Sequence, residues 1–228
     1  GYPVAPNGMI CSMFRPSDDA TIFPFLVASN LFAFAALMQL ETLVTETKAE
    51  VDKQAITDMM SQIVTGIDND AKVETKKHGK IFAYEVNGYG SHNLMDDANV
   101  PSLLSIGYLA PEMAKDPIYK NTRRYVLSND NPFYFKGTAG EGIGGPHAGM
   151  DRIWPLSIIM RGLTSTDDKE IKMCLDMLQK THANTGFIHE SFHKDDAANY
   201  SRPWFAWANT LFGEFVWKVY REKPELLS

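Results

Sequence analysis

The 228-residue chain has only two cysteines, Cys11 and Cys174, too few for a disulfide framework and too few to name a compartment. It has no basic run. Lysine and arginine total 22 against 28 acidic residues, for a net charge of −6, which argues against a nucleic-acid partner. It lacks an uninterrupted apolar run of spanning length: residues 22–40 come nearest and are broken by Pro24, Ser29, Asn30 and Gln39, so no membrane is expected. No basic start followed by an apolar segment marks a signal peptide, and the sequence leaves cytoplasmic, periplasmic and secreted locations open. A repeat of solenoid type is also missing. What is present is a chain 44% hydrophobic, long enough for one large core or two small ones.

Hydrophobic spacing predicts helices over 30–47, with Leu31, Phe34, Ala35 and Met38 on one face, and over 51–68, with Ile56, Met59, Met60, Ile63, Val64 and Ile67. Further helices are expected over 101–110, with Pro101 in its first turn, and over 117–127 and 153–163. The last two are expected over 167–181, capped from Asp167-Asp168, and over 204–220. One short strand or hairpin is expected near 80–86, ending at Asn87-Gly88. Helices are joined tightly in pairs, and long loops (1–28, 70–100, 128–152, 182–203) separate the pairs. Hairpin pairs with that spacing predict an all-α arrangement of antiparallel helices around an axis, with the long loops on one rim.

The chemistry lies in those loops. The first holds Arg15, Ser17, Asp18 and Asp19; the second Tyr84, Glu85, Tyr89, His92, Asp96, Asp97 and Asn99; the third Tyr134, Phe135, Glu141 and His147. The fourth is the densest: His182, His189, Glu190, His193, Arg202, Trp204 and Trp207 fall within 181–209. Long polar loops carrying such groups usually build sites rather than architecture. Aromatic faces stack on pyranose rings, and carboxylates and amides bond hydroxyls, so this set suits a sugar. Singly, each residue has a plainer reading. Asp18-Asp19 and Asp96-Asp97 suit helix caps, and His92 and His147 suit ordinary surface histidines.

Two sharper readings compete over one segment. His189-Glu190-Ser191-Phe192-His193 matches H-E-x-x-H, which on a helix would present two histidines to zinc and a glutamate as base for a metalloprotease. Gly186 just upstream and Lys194-Asp195-Asp196 just downstream are poor helical context, and no third ligand stands at a recognisable spacing. The alternative pairs Glu190 with a second carboxylate, Asp18 or Asp19, as glycoside hydrolysis requires.

The segments FRPSDDATIFPFLVASNLFA, YEVNGYGSHNLMDDANVPSLLS, DPIYKNTRRYVLSNDNPFYFKG, GIGGPHAG, IWPLSIIMRGLTS, GFIHESFHKDD and SRPWFAWANTLFGE, in that order, resemble glycoside hydrolase family 125. The resemblance implies an (α/α)6 barrel and an exo-acting, inverting, metal-independent α-1,6-mannosidase, with no cofactor and no metal. It places the general acid in the Arg15–Asp19 motif, at Asp18 with Asp19 the neighbouring alternative, and the general base at Glu190. Arg15, Asp19, His92, Asp97, Asn99, His147, His189, Arg202 and Trp204 are then expected at the substrate. The expected partners are mannose-containing oligosaccharides such as α-1,6-mannobiose and N-glycan fragments. The family's chains are about twice as long, so residues 1–228 correspond to one portion of the catalytic domain, roughly the second half of the barrel. An N-terminal half, as a separate chain, is a further expected partner. Without it, a non-catalytic mannose-binding fragment is the competing reading.

Overall fold

One short strand and a pair of long helices begin the fold, in a computed structural model that describes residues 3–227. The chain divides into two compact units. One takes the residues up to Met95 together with Pro101–Thr122; the other takes Asp96–Val100 and everything from Arg123 onward.

In the first unit, β1 (Phe25–Leu26) runs into α1 (Val27–Thr47), which packs against α2 (Lys53–Asp70). Leu31, Ala35 and Val44 are buried on α1, and Ile56, Ile63 and Ile67 on α2; of the residues expected on these faces, Met38, Met59 and Val64 are exposed. The turn between them follows from local chemistry. Lys48 ends α1 in a left-handed conformation, φ 54°, and Asp52 caps α2 by accepting from Ala55 N at 3.1 Å. Among the described residues, α1 is the one helix long and apolar enough to cross a membrane, with a mean hydropathy of 1.5 over its most apolar window. The polar residues read as interruptions lie within it. Asn30 is buried, accepts from Ile10 N at 2.7 Å and donates to the carbonyls of Ile10 and Leu26 at 3.0 Å each. Its amide ties the N-terminal segment to the helix.

Strands β2 (Lys72–Thr75) and β3 (Gly79–Phe82) form a hairpin, with Lys72 opposite Phe82. Next, β4 (Glu85–Val86) pairs with β1 on one side and with β5 (His92–Asn93) on the other, all antiparallel. The helix expected over 101–110 shrinks to one turn, α3 (Ile106–Leu109), followed by a 3-10 turn at Pro111–Lys115. The reason is local. Ser105 Oγ accepts from Ser102 N at 2.8 Å and Ser102 Oγ accepts from Ser105 N at 3.1 Å, offering the backbone an alternative to helical bonds. Helix α4 (Pro117–Val126) starts on Asp116, whose carboxylate accepts from Ile118 N at 2.6 Å.

In the second unit, β6 (Tyr134–Lys136) and β7 (Glu141–Ile143) pair antiparallel. Then β8 (Arg152–Ile153) leads into α5 (Pro155–Leu163), whose proline occupies the first turn. Helix α6 (Asp168–Lys180) is capped by Asp167, as the sequence predicts, through Lys169 N at 3.0 Å. Helix α5 is buried along most of its length and packs against both α6 and α7 (Ala206–Glu222). Gly162 makes the second contact possible: a Cβ there would lie 2.2 Å from the Phe215 ring. The segment 182–203, expected to be loop throughout, contains β9 (Ser191–His193) and β10 (Asp196–Ser201), which join β8 in a three-stranded antiparallel sheet ordered β10-β9-β8.

The helical class is as expected: seven α-helices among the described residues and no closed sheet. The expectation of at most one hairpin near 80–86 is corrected, since four small sheets punctuate the helices. Their strands run two to six residues, mostly too short to carry a period-2 signal.

Candidate active site

In the first unit, the Arg15–Asp19 segment is a tight acidic turn. Asp18 N donates to Arg15 O at 3.0 Å, Arg15 N donates to Asp19 O at 2.8 Å, and Phe14 and Ala20 form an antiparallel bridge below them. Pro16 suits the first corner of such a turn. Asp18 closes it with φ 68°, a left-handed conformation that aspartate and asparagine tolerate better than most side chains. The two aspartates differ. Asp18 is exposed, and its carboxylate has no hydrogen-bond partner among the described residues. Asp19 is half-buried and accepts from Ser17 Oγ at 3.1 Å.

Arg15 anchors this turn. Its Nε and Nη2 donate to Glu85 Oε1 and Oε2 at 2.7 and 3.1 Å, with both side chains almost wholly buried. Its guanidinium also lies 5.4 Å from the centroid of the Tyr84 ring. Glu85 Oε2 accepts in addition from Ile22 N at 3.2 Å and Asn93 Nδ2 at 2.9 Å, so β4 and β5 hold the pair in register. The Arg15 guanidinium therefore faces Glu85, whatever else it meets. His92, on β5, is exposed and points Nε2 at Asp70 O, 3.1 Å away at the end of α2.

In the second unit, Glu190 sits just before β9 with its side chain 11% exposed. Ser201 Oγ donates to its Oε2 at 2.9 Å, and Arg202 Nε lies 3.1 Å from its Oε1. Arg202 is otherwise exposed, holds φ 47°, and stands 5.6 Å from the Phe205 ring. Such a backbone on a bulky residue is strained, and strain of this kind concentrates at functional sites. His189 is 1% exposed and stacks on Tyr200 at 3.8 Å, with the rings 3° from parallel. Pro203 O, 3.0 Å from Nδ1, only accepts, so Nδ1 carries the proton; Nε2 is buried without a partner. Trp204 is exposed beside this segment.

Asp97 and Asn99 form a separate buried knot in the same unit. Asp97 Oδ1 accepts from Asn99 N at 2.9 Å and Asn99 Nδ2 at 2.7 Å, and Ala98 N donates to Gly144 O at 2.9 Å. Gly145 lies against this carboxylate, where a Cβ would stand 2.8 Å from Oδ2. His147 is exposed, edge-on to the buried Trp154 ring at 6.1 Å.

Glu141, grouped with the rim carboxylates on sequence, has a different setting. It pairs with Lys136 at 2.6 Å and Arg161 at 2.8 Å, and Arg161 and Arg123 both reach Glu170, at 2.7 and 2.8 Å. Burial alone would raise both glutamates. Hydrogen bonds to Lys136 and Arg161 outweigh it for Glu141, and bonds to Ser165, Arg161 and Arg123 outweigh it for Glu170, so both carboxyls titrate below the ordinary range. Burial, reinforced by Glu141, pushes Tyr134 up to about 12, and burial pushes the Cys174 thiol up to about 12. This network cross-links β7, α5, α6 and the end of α4.

The H-E-x-x-H segment is not helical. Glu190 leads into β9, and His193, on that strand, accepts from Asp195 N at 3.2 Å through Nδ1. The zincin motif needs both histidines on one helical face, and an extended segment does not supply that face. Arg152, Ser191 and Ser201, linked to Glu190, and Glu85, paired with Arg15, are neighbours of the candidate residues that sequence reasoning passed over or placed only on a rim. The chain places each beside a residue distant in sequence, which no local pattern records.

Comparison with known proteins identifies the family. The family described as metal-independent alpha-mannosidase (GH125) matches residues 1–217. The Schizosaccharomyces pombe protein "Meiotically up-regulated gene 157 protein" is 43% identical over 230 residues, covering 100% of this chain and 45% of the relative. A solved Streptococcus pneumoniae structure is 39% identical, with a TM-score of 0.92 over 98% of this chain and 53% of that one. It is described as a metal-independent alpha mannosidase in a non-productive substrate complex with alpha-1,6-mannobiose. The chain thus spans about half the length of the relatives it matches. Fold and sequence define the class as a helical glycoside hydrolase of the (α/α)6 type, of which this chain covers about half. The chain belongs to glycoside hydrolase family 125, the metal-independent α-mannosidases.

Proposed function

We propose that the protein containing this chain is an exo-acting, inverting α-1,6-mannosidase that removes non-reducing terminal α-1,6-linked mannose from N-glycan fragments. Asp18 is the general acid and Glu190 the general base. Asp18 donates a proton to the glycosidic oxygen as the C1–O bond breaks. Glu190 takes a proton from a water that attacks C1 from the opposite face of the sugar, so the product is β-mannose. Inverting pairs hold their carboxyls roughly 6.5–9.5 Å apart to admit that water.

The observation that carries this reading is the contrast between the two carboxylates. Glu190 is enclosed and held by a hydroxyl at Oε2 and a guanidinium at Oε1. Asp18 is exposed on a turn that leaves its oxygens free of partners among the described residues. Family membership and the α-1,6-mannobiose bound by the Streptococcus pneumoniae relative support mannose as the sugar. Because the chain spans about half of its relatives, a mannose-binding role without cleavage is the second reading for these residues in isolation.

The test uses the full-length protein and this chain side by side, on α-1,2-, α-1,3- and α-1,6-mannobiose, with the product followed by proton NMR. The expected result is cleavage of the α-1,6 isomer by the full-length protein, with β-mannose appearing first. Binding without cleavage by both would support the second reading. First release of α-mannose would make Glu190 a nucleophile.

A further inference from the structure

Arg152, Ser191 and Ser201 form a hydrogen-bonded chain that ends on Glu190. Arg152 lies on β8, Ser191 starts β9 and Ser201 ends β10, with the two serines paired in register. Arg152 Nε donates to Ser191 Oγ at 3.0 Å, the two serine hydroxyls are 2.8 Å apart, and Ser201 Oγ donates to Glu190 Oε2 at 2.9 Å. A guanidinium only donates, and each hydroxyl has one proton. Since Ser201 directs its proton at Glu190, Ser191 must donate to Ser201. Every proton in the chain therefore points toward the carboxylate.

The chain is anchored and shielded. The other nitrogens of Arg152 donate to Asn199 Oδ1 at 3.1 Å and Asn199 O at 3.2 Å, fixing the guanidinium on β10. Ser191 is fully buried. In such surroundings aligned hydrogen bonds polarise one another, and the last of them is stronger than an isolated hydroxyl contact. Of the neighbouring charged and titratable groups, Arg202 contacts the other oxygen, Oε1, and His189 directs Nδ1 away, at Pro203 O.

We propose that Arg152, Ser191 and Ser201 are positioning residues that hold Glu190 by Oε2, so that Oε1, which Arg202 contacts through one lone pair, receives the proton from water on the other. This rests on the reading of Glu190 as general base. The three residues act through Glu190. They fix which carboxylate oxygen is presented, and in what orientation.

The experiment is a mutant cycle in the full-length protein, on α-1,6-mannobiose. Ser201→Ala removes a hydrogen bond to a charged group and is expected to lower kcat by about tenfold to a hundredfold, with KM within about twofold. Ser201→Thr keeps the hydroxyl and is expected to recover activity to within about threefold. Ser191→Ala and Arg152→Ala are expected to act in the same direction by smaller factors, on the order of threefold. Ser201→Ala and Ser191→Ala leave the bonds from Arg152 to Asn199 in place, so the test does not depend on how Arg152→Ala folds. Each variant is then combined with Glu190→Ala. Loss of effect in that background supports the proposal, because a residue acting through Glu190 has nothing left to act on. An undiminished effect there overturns it, as does a Ser201→Ala enzyme within twofold of the parent while Glu190→Ala is inactive. Full activity in Glu190→Ala itself would instead overturn the base assignment.

Discussion

Arg15 and Glu85, 70 residues apart in sequence, make a two-point buried ion pair that ties the acidic turn to the β4 strand. The pair fixes Arg15, which starts the turn, so the geometry of Asp18 depends on a contact it does not itself make. Removing one member strands a buried charge. Glu85→Gln is expected to destabilise the protein by about 3–5 kcal/mol in urea unfolding. The double variant Arg15→Met/Glu85→Leu should cost less than the sum of the two single changes. A Glu85→Gln loss below about 1 kcal/mol would show that water reaches the pair, contrary to its burial.

Arg202 offers a separate test of strain. Its left-handed backbone costs about 1–2 kcal/mol for an ordinary side chain, and glycine adopts it freely. Its ion pair with Glu190 is largely solvent-exposed on the arginine side and is worth little to stability. Arg202→Gly is therefore expected to leave the melting temperature unchanged or raise it while lowering activity. A clear loss of stability would mean that the arginine holds the loop, rather than the loop straining the arginine.

Acid should weaken the second unit through Glu141 and Glu170. Burial would raise both, but Lys136 and Arg161 hold Glu141, and Ser165, Arg161 and Arg123 hold Glu170, below the ordinary value of 4.5. The unfolded chain takes up these protons near 4.5 and the folded chain only at lower pH. Their stabilisation is thus complete above about pH 4.5 and lost as pH falls through the folded values. Thermal melts from pH 7 to pH 3 should decline in that lower window. A Glu141→Gln/Glu170→Gln variant should start lower and decline less; a decline equal to that of the parent would assign acid sensitivity to other groups.

Most of the helices were legible in the sequence because each buries one face. The Ile56, Ile63 and Ile67 spacing on α2 and the Asp167 cap on α6 are local signals that survive packing. The one-turn α3 was not legible, because reciprocal Ser102 and Ser105 bonds compete with a helix and leave no periodic trace. The strands β9 and β10 were missed for a related reason. Three residues on one and a bulged partner on the other give no alternation to read. Among the candidate catalytic residues, Glu190 and the Asp18-Asp19 pair stood out by residue type and by resemblance. Arg152 did not, since its link to Glu190 runs through two serines on neighbouring strands. Glu85 stood among the rim residues, but its pairing with Arg15, 70 positions away, was equally hidden.

The two proposed catalytic roles are separated most directly by the leaving-group dependence of Asp18→Asn and Glu190→Gln in the full-length protein. Asparagine tolerates the left-handed conformation at position 18, so Asp18→Asn removes the proton while preserving the turn. An aryl α-mannoside with an acidic phenol needs little protonation on departure, and α-1,6-mannobiose needs a full proton. Asp18→Asn should therefore retain much more rate on the aryl substrate, while Glu190→Gln should lose rate on both by a similar factor within the ~10²–10⁴-fold range of general acid–base catalysis. A leaving-group dependence at Asp19→Asn instead would move the acid by one residue. Equal losses on both substrates for every aspartate variant, or an aryl-selective survival of Glu190→Gln, would contradict the assignment of acid and base.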